Sequence, residues 1–183
     1  LIRINKPIGF MLLLWPCWFS LAYLDLPQKT LIKYYYYFFI GAVIMRSAGC
    51  IINDLIDQNL DTKVERTANR PIASKKISNF NAFVFLIVLL TIGFFILLQF
   101  KFSAIIIGLL CTPLIVLYPF MKRITFWPQL FLGIIFNFGV IICSVEFYGK
   151  LTNEYLILYL SCVLWTVGYD TIYAYQDIKD DKV

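Results

Sequence analysis

Six long apolar runs, at 8–24, 34–52, 80–100, 102–120, 126–148 and 155–173, leave this chain few folds to choose from. Each is close to the roughly 17–25 residues that a helix needs to cross the hydrocarbon core of a bilayer. The runs are continuous, without the polar alternation of barrel strands, so they predict helices. Hydrophobic residues make up 61% of the sequence and charged residues 15%, against roughly 25% charged in soluble domains. Pro16 and Pro113 predict kinks or offsets in the first and fourth runs. The first run has no small-residue cleavage site and carries Trp15-Pro16-Cys17-Trp18, so it reads as a retained helix and not as a signal peptide. No linker or repeat divides the chain, which predicts a single all-α, polytopic membrane domain over 1–183.

The basic residues then orient the bundle. With six spans, Arg3, Lys6, the bases of the 63–76 loop, Lys122, Arg123, Lys179 and Lys182 fall on one side. Only Lys29, Lys33, Lys101 and Lys150 fall on the other. The excess of Lys and Arg predicts that the first side, with the N-terminus and the acidic loops, is cytoplasmic. The net charge of +5 is mainly this topological signal. A nucleic-acid partner is not expected, because the bases are scattered over several loops with no soluble domain to organise them. The chain has no histidine, which excludes histidine zinc sites, Ser-His-Asp triads and His-ligated haem. Its five cysteines lie singly within apolar runs and read as packing residues.

Three segments carry the chemistry. After the second run come Asn53, Asp54, Asp57 and Asp61, at offsets 0, 1, 4 and 8. If the helix continues, they share one broad face about two turns long. Carboxylates gathered at a membrane helix end repel one another and resist desolvation, so a cation belongs among them. Oxygen ligands at this spacing suit Mg²⁺, which keeps waters and substrate phosphates as partners. Arg66 and Arg70 follow in Arg66-Thr67-Ala68-Asn69-Arg70-Pro71, where they can grip phosphate oxygens bidentately. The alternative is a solvated loop whose charges keep the preceding helix from sliding inward.

A second acidic cluster ends the chain, with Asp177 and Asp181 four apart and Asp170 two turns before Asp177 on about the same face. Asp170 sits between Tyr169 and Tyr173 in an apolar run and needs a partner there; Arg46, inside the second span, is a structural candidate. Between the clusters, Tyr118 and Lys122 place a hydroxyl and an ammonium one turn apart, an arrangement suited to a diphosphate leaving group. Basic residues after a span are also what topology alone demands, and Arg3 and Lys6 read that way. Some of the aromatic residues, 18% of the chain, can line a pocket whose π faces stabilise a carbocation.

Taken with Lys6-Pro7-Ile8-Gly9, Leu14-Trp15-Pro16, Met45-Arg46-Ser47-Ala48-Gly49-Cys50, Tyr118-Pro119-Phe120-Met121-Lys122-Arg123 and Tyr169-Asp170-Thr171, these segments resemble the UbiA superfamily of intramembrane prenyltransferases. Within it they look most like the 4-hydroxybenzoate branch of bacterial ubiquinone biosynthesis. The match runs the length of the chain in the family's order. It implies a nine-span helical fold around a central cavity, of which six spans are here, so the chain is expected to be C-terminally incomplete: a fragment of a longer protein, or a degenerate gene product. It implies a Mg²⁺-dependent enzyme of the bacterial inner membrane that moves a polyprenyl group from its diphosphate to the ring carbon ortho to the hydroxyl of 4-hydroxybenzoate. Asn53, Asp54, Asp57 and Asp61 would hold one Mg²⁺, and Asp177 and Asp181 another. Arg66, Arg70, Tyr118 and Lys122 would bind diphosphate, and Asp170 and Arg123 would meet the aromatic acceptor. A different acceptor (a naphthoate, a haem or a chlorophyllide) is the nearest alternative reading. A cation transporter using Arg46 and Asp170, or an inactive membrane fragment, are the others.

Overall fold

The computed structural model describes residues 1–177, and every regular element among them is helical. In chain order these are α1 (Ile8–Ala22), α2 (Gln28–Ile56), α3 (Gln58–Asp61), α4 (Glu65–Ala68), α5 (Asn79–Leu97), α6 (Phe102–Ile124), α7 (Pro128–Phe136), α8 (Phe138–Tyr148) and α9 (Asn153–Asp177). Five stretches among the described residues are long and apolar enough to cross a membrane: α2, α5, most of α6, α7 with α8, and α9. With the shorter apolar α1 they match the six runs. The expected kinks do not end a helix: α1 continues through Pro16, and α6 through both Pro113 and Pro119. Neighbouring helices and local adjustment let a membrane helix tolerate the lost backbone bond.

The interruption comes at a residue with no proline. Asn137, between α7 and α8, is fully buried, and its side-chain amide donates to the Gly133 carbonyl (2.7 Å) and to the Thr166 hydroxyl (2.9 Å). A side-chain amide that competes with the backbone for a carbonyl one turn back offers an alternative to the helical ladder. Here it breaks the fifth span and also ties it to α9.

Packing is uneven. α2 is the hub, with α1 on one side and α5 on the other, while α7 lies along α9. Small buried residues on α2 and α5, such as Ala42, Ala48 and Ala82, let the backbones approach closely. α5 is apolar all round and mostly unburied, exposing Phe80, Phe83, Ile87 and Phe95. A helix hydrophobic on every face suits a lipid surround.

At the end of the bundle away from the acidic loop lies a charge that the sequence did not advertise. Glu146, only 2% exposed, accepts from the Tyr34 hydroxyl (2.5 Å) and from the Lys101 backbone N–H (2.6 Å). It therefore joins α8 to α2 and to the residue that begins α6, where a carboxylate also meets the positive end of the helix dipole. Glu146→Ala removes the acceptor shared by the Tyr34 hydroxyl and the Lys101 N–H. We predict a loss of about 2 kcal/mol, as for hydrogen bonds to a charged group, measured as earlier thermal unfolding in detergent.

Candidate active site

α2 does not continue through the acidic motif. It ends at Ile56, Asp57 leaves helical geometry (φ −92°, ψ 9°), and the chain restarts as the single turn α3. The expected common face therefore divides. Asn53 looks into the interior of the bundle, whereas Asp54, one residue on and about 100° around the helix, is turned away and 1% exposed.

The loop that follows is folded back, not solvated. Thr67 donates its hydroxyl to the Asp61 carbonyl (3.0 Å), Ser74 donates to the Arg70 carbonyl (2.8 Å), Ile72 is buried against α2 and α5, and Ala73 is buried beside it in the chain. The two hydroxyl bonds and the packing of Ile72 aim Arg70 back at the helix end. Its guanidinium donates to both oxygens of Asp61 (2.7 and 2.9 Å) and to Asp54 (3.3 Å). Asp54 is shared: Arg3, in the N-terminal segment, also pairs with it. Two carboxylates expected to meet a metal are thus held by two arginines.

Below this network opens a cavity of about 550 Å³ bounded by α1, α2, α5, α6, α7 and α8. Its polar end collects Arg3, Arg46, Asn53, Arg70 and Tyr118, and the rest of its wall is almost wholly apolar. Arg46 is the most deeply placed of these cations. Its guanidinium lies over the Phe136 ring at 5.7 Å, a cation–π distance. A Cβ at position 9 would come within 2.8 Å of its Nε, so Gly9 leaves the space it occupies. The Tyr118 hydroxyl is within electrostatic reach of Asp170, Arg46, Tyr169 and Asp57, which brings three separated sequence segments to one place.

The remaining candidates fall as follows. Arg66 is exposed on α4, and Asp170 is half-buried on α9. Lys122 and Arg123 lie in the last turn of α6, and Asp177 is the last residue of α9; the placement of their side chains is outside the description. Asp181 lies outside the described residues. Arg3, which reads as topological in the sequence, and Arg46, which reads as a structural partner or as part of a transport path, both line the cavity. Arg46 had a signal, since an ionisable residue inside a span is by default a functional candidate. Nothing local marked Arg3.

For a metal, Asn53 at the polar end of the cavity and Asp57, the residue that follows α2, carry amide and carboxylate oxygens of the kind suited to Mg²⁺. Among the described residues no group of three or more His, Cys, Asp or Glu could hold an ion.

The model of the UbiA prenyltransferase family matches residues 13–183. The chain belongs to that family. Proteins named "4-hydroxybenzoate polyprenyltransferase, mitochondrial" are similar to it throughout: 47% identical in Drosophila pseudoobscura pseudoobscura, over 99% of this chain and 46% of that one. The Rattus norvegicus protein is 47% identical over 100% and 50%, and the Arabidopsis thaliana protein 46% over 99% and 45%. The chain therefore spans about half the length of the curated relatives it matches. An apo structure of a UbiA homolog from Aeropyrum pernix K1 superposes with a TM-score of 0.75 at 24% identity, covering 97% of this chain and 66% of that one. The fold is thus UbiA-like.

Asp54→Ala removes the anion that separates Arg3 from Arg70. Breaking a buried charge pair from one side costs about 3–5 kcal/mol. We predict a fall at the lower end of that range, because the arginines are partly exposed, and a smaller fall for Asp61→Ala. Thermal unfolding of the two variants in the same detergent compares them.

Proposed function

We propose that this chain provides the catalytic cavity of a 4-hydroxybenzoate polyprenyltransferase, which moves a polyprenyl group from polyprenyl diphosphate to the ring carbon ortho to the phenol, in ubiquinone biosynthesis. The observation that carries this reading is the shape of the cavity's chemistry: arginines, an amide and a phenol at one end, and a long apolar arm behind them. That is the pattern of a donor with a dianionic or trianionic head and a hydrocarbon tail.

The residues divide the work. Arg70 and Tyr118 at the polar end, with Arg66 and Lys122 nearby in sequence, bind the diphosphate oxygens and stabilise the charge that grows as the allylic C–O bond breaks. Asn53 and Asp57 would hold Mg²⁺, with Asp177 and Asp181 holding a second, and bound Mg²⁺ supplies further charge neutralisation to the departing diphosphate. Asp54 and Asp61 serve less as ligands than as anchors that aim Arg3 and Arg70. Arg46, or Arg123 at the end of α6, offers a cation for the carboxylate of the aromatic acid. When the ring carbon bonds the allylic carbon, Asp170 takes the ring proton and aromaticity returns. The apolar wall keeps water from the cation.

The reading includes a multi-pass location in the bacterial inner membrane, with the acidic loops on the cytoplasmic side. The apolar helices support a multi-pass membrane protein. The relatives are named as mitochondrial, so the bacterial membrane rests on the sequence resemblance. Among acceptors, the names of the relatives favour 4-hydroxybenzoate over a haem or chlorophyllide.

Membranes containing the full natural protein should form prenylated 4-hydroxybenzoate from labelled acid only with a divalent cation. Asp57→Ala should lower turnover about a hundredfold or more, the scale of losing one transition-state contact. Equal product in EDTA, or undiminished turnover by Asp57→Ala, would sink this mechanism.

A further inference from the structure

The interruption of the fifth span carries a cost in stability. Asn137 is fully buried, and among the described residues its side-chain oxygen has no hydrogen-bond partner. A buried acceptor without a donor is destabilising, and an apolar residue would spare it. The rest of the break is closely satisfied from α9. The Ile134 carbonyl, which in a continuous helix takes the N–H of residue 138, here accepts from the Tyr159 hydroxyl (3.0 Å). Thr166, which receives the Asn137 amide, donates in turn to the Cys162 carbonyl (2.9 Å).

What the break places is the end of α7. Its last residue, Phe136, lies under the Arg46 guanidinium, and the negative end of the α7 dipole falls at the same residue. A cation inside a span needs such compensation. From α1, Gly9 leaves the guanidinium its room, so Arg46 is held between α1 and α7. The two half-spans dock on different helices. At Gly133 α7 meets α9, where a Cβ would come within 3.0 Å of the Val163 carbonyl oxygen. At Gly139 α8 meets α1, where a Cβ would overlap the Cys17 sulfur. Asn137 stands between the two glycines, where the chain adjusts from one docking to the other.

We propose that Asn137 is a positioning residue for the aromatic acceptor. By ending α7 at Phe136 and tying that end to α9, it holds Arg46 where the guanidinium meets the carboxylate of the acid. The proposal rests on the reading of Arg46 as the acceptor's cation and adds the device that keeps Arg46 in place. The competing account is that Asn137 only fastens α7 to α9. Its loss then weakens the bundle and touches both substrates alike.

The test uses the full natural protein in lipid nanodiscs, with labelled 4-hydroxybenzoate and geranylgeranyl diphosphate. Asn137→Leu removes both amide bonds, and Thr166→Val releases the same tie from α9. Phe136→Leu keeps the break and removes the ring beneath Arg46. Asn137→Leu and Phe136→Leu should each raise the KM for 4-hydroxybenzoate about tenfold, the scale of a weakened bond to a charged group, and leave the KM for the donor unchanged. Thr166→Val should shift the same constant in the same direction. Because Asn137 and Phe136 act through one guanidinium, the double variant should be no worse than the poorer single one. An unchanged KM for the acid in Phe136→Leu or in Thr166→Val, equal rises for acid and donor, or effects that multiply in the double variant overturn the proposal. The reading of Arg46 fails separately, when Arg46→Ala leaves the KM for the acid as it was. The prenyltransferase reading fails when the unsubstituted protein forms no product.

Discussion

The ion network of Arg70 with Asp54 and Asp61, joined by Arg3, fixes the geometry on which the functional end of this molecule depends. It links the end of α2 and the loop that follows it to the N-terminal segment, which is far away in the chain. A carboxylate as buried as Asp54 is tolerable only when partnered, so the network forces the loop to fold back over the helix ends. That folding buries Ile72 and Ala73, which would otherwise meet water. Electrostatics and apolar burial therefore select the same loop conformation.

A second buried carboxylate governs the opposite end. Glu146 is satisfied by a tyrosine hydroxyl and a backbone amide, with no basic side chain among the hydrogen-bond partners described. One end of the bundle thus gathers cationic side chains suited to an anionic head, and the other packs aromatic rings against one another. Between them the helices contribute small and apolar residues to the cavity wall. An amphiphilic cavity of this kind follows from placing the two carboxylates at opposite ends of one bundle.

Much of this was legible in the chain. The six apolar runs could only be satisfied as helices, because a lipid-embedded backbone must bond within itself, and six helical stretches are where those runs lie. The convergence of Asn53, Asp57, Tyr118 and Asp170 was likewise readable, since each stands at or near the same end of its span. The interruption of the fifth span was not. Asn137 breaks it by hydrogen bonds to Gly133 and to Thr166 on another helix, and the second of these exists only after α9 has docked.

The sequence by itself determined the class of fold, the family and the end of the bundle at which the charged chemistry gathers, because these follow from local hydropathy, charge asymmetry and motif spacing. Only the tertiary structure decided which oxygens face the cavity. Helical spacing put Asn53, Asp54, Asp57 and Asp61 on one broad face, but α2 stops before Asp57, and Arg3 and Arg70 draw Asp54 and Asp61 aside. Arg46 passed from candidate structural partner to cavity wall for the same reason. A side chain's role at a membrane helix end is set by which charge reaches it from elsewhere in the chain, and spacing along one helix carries no record of that.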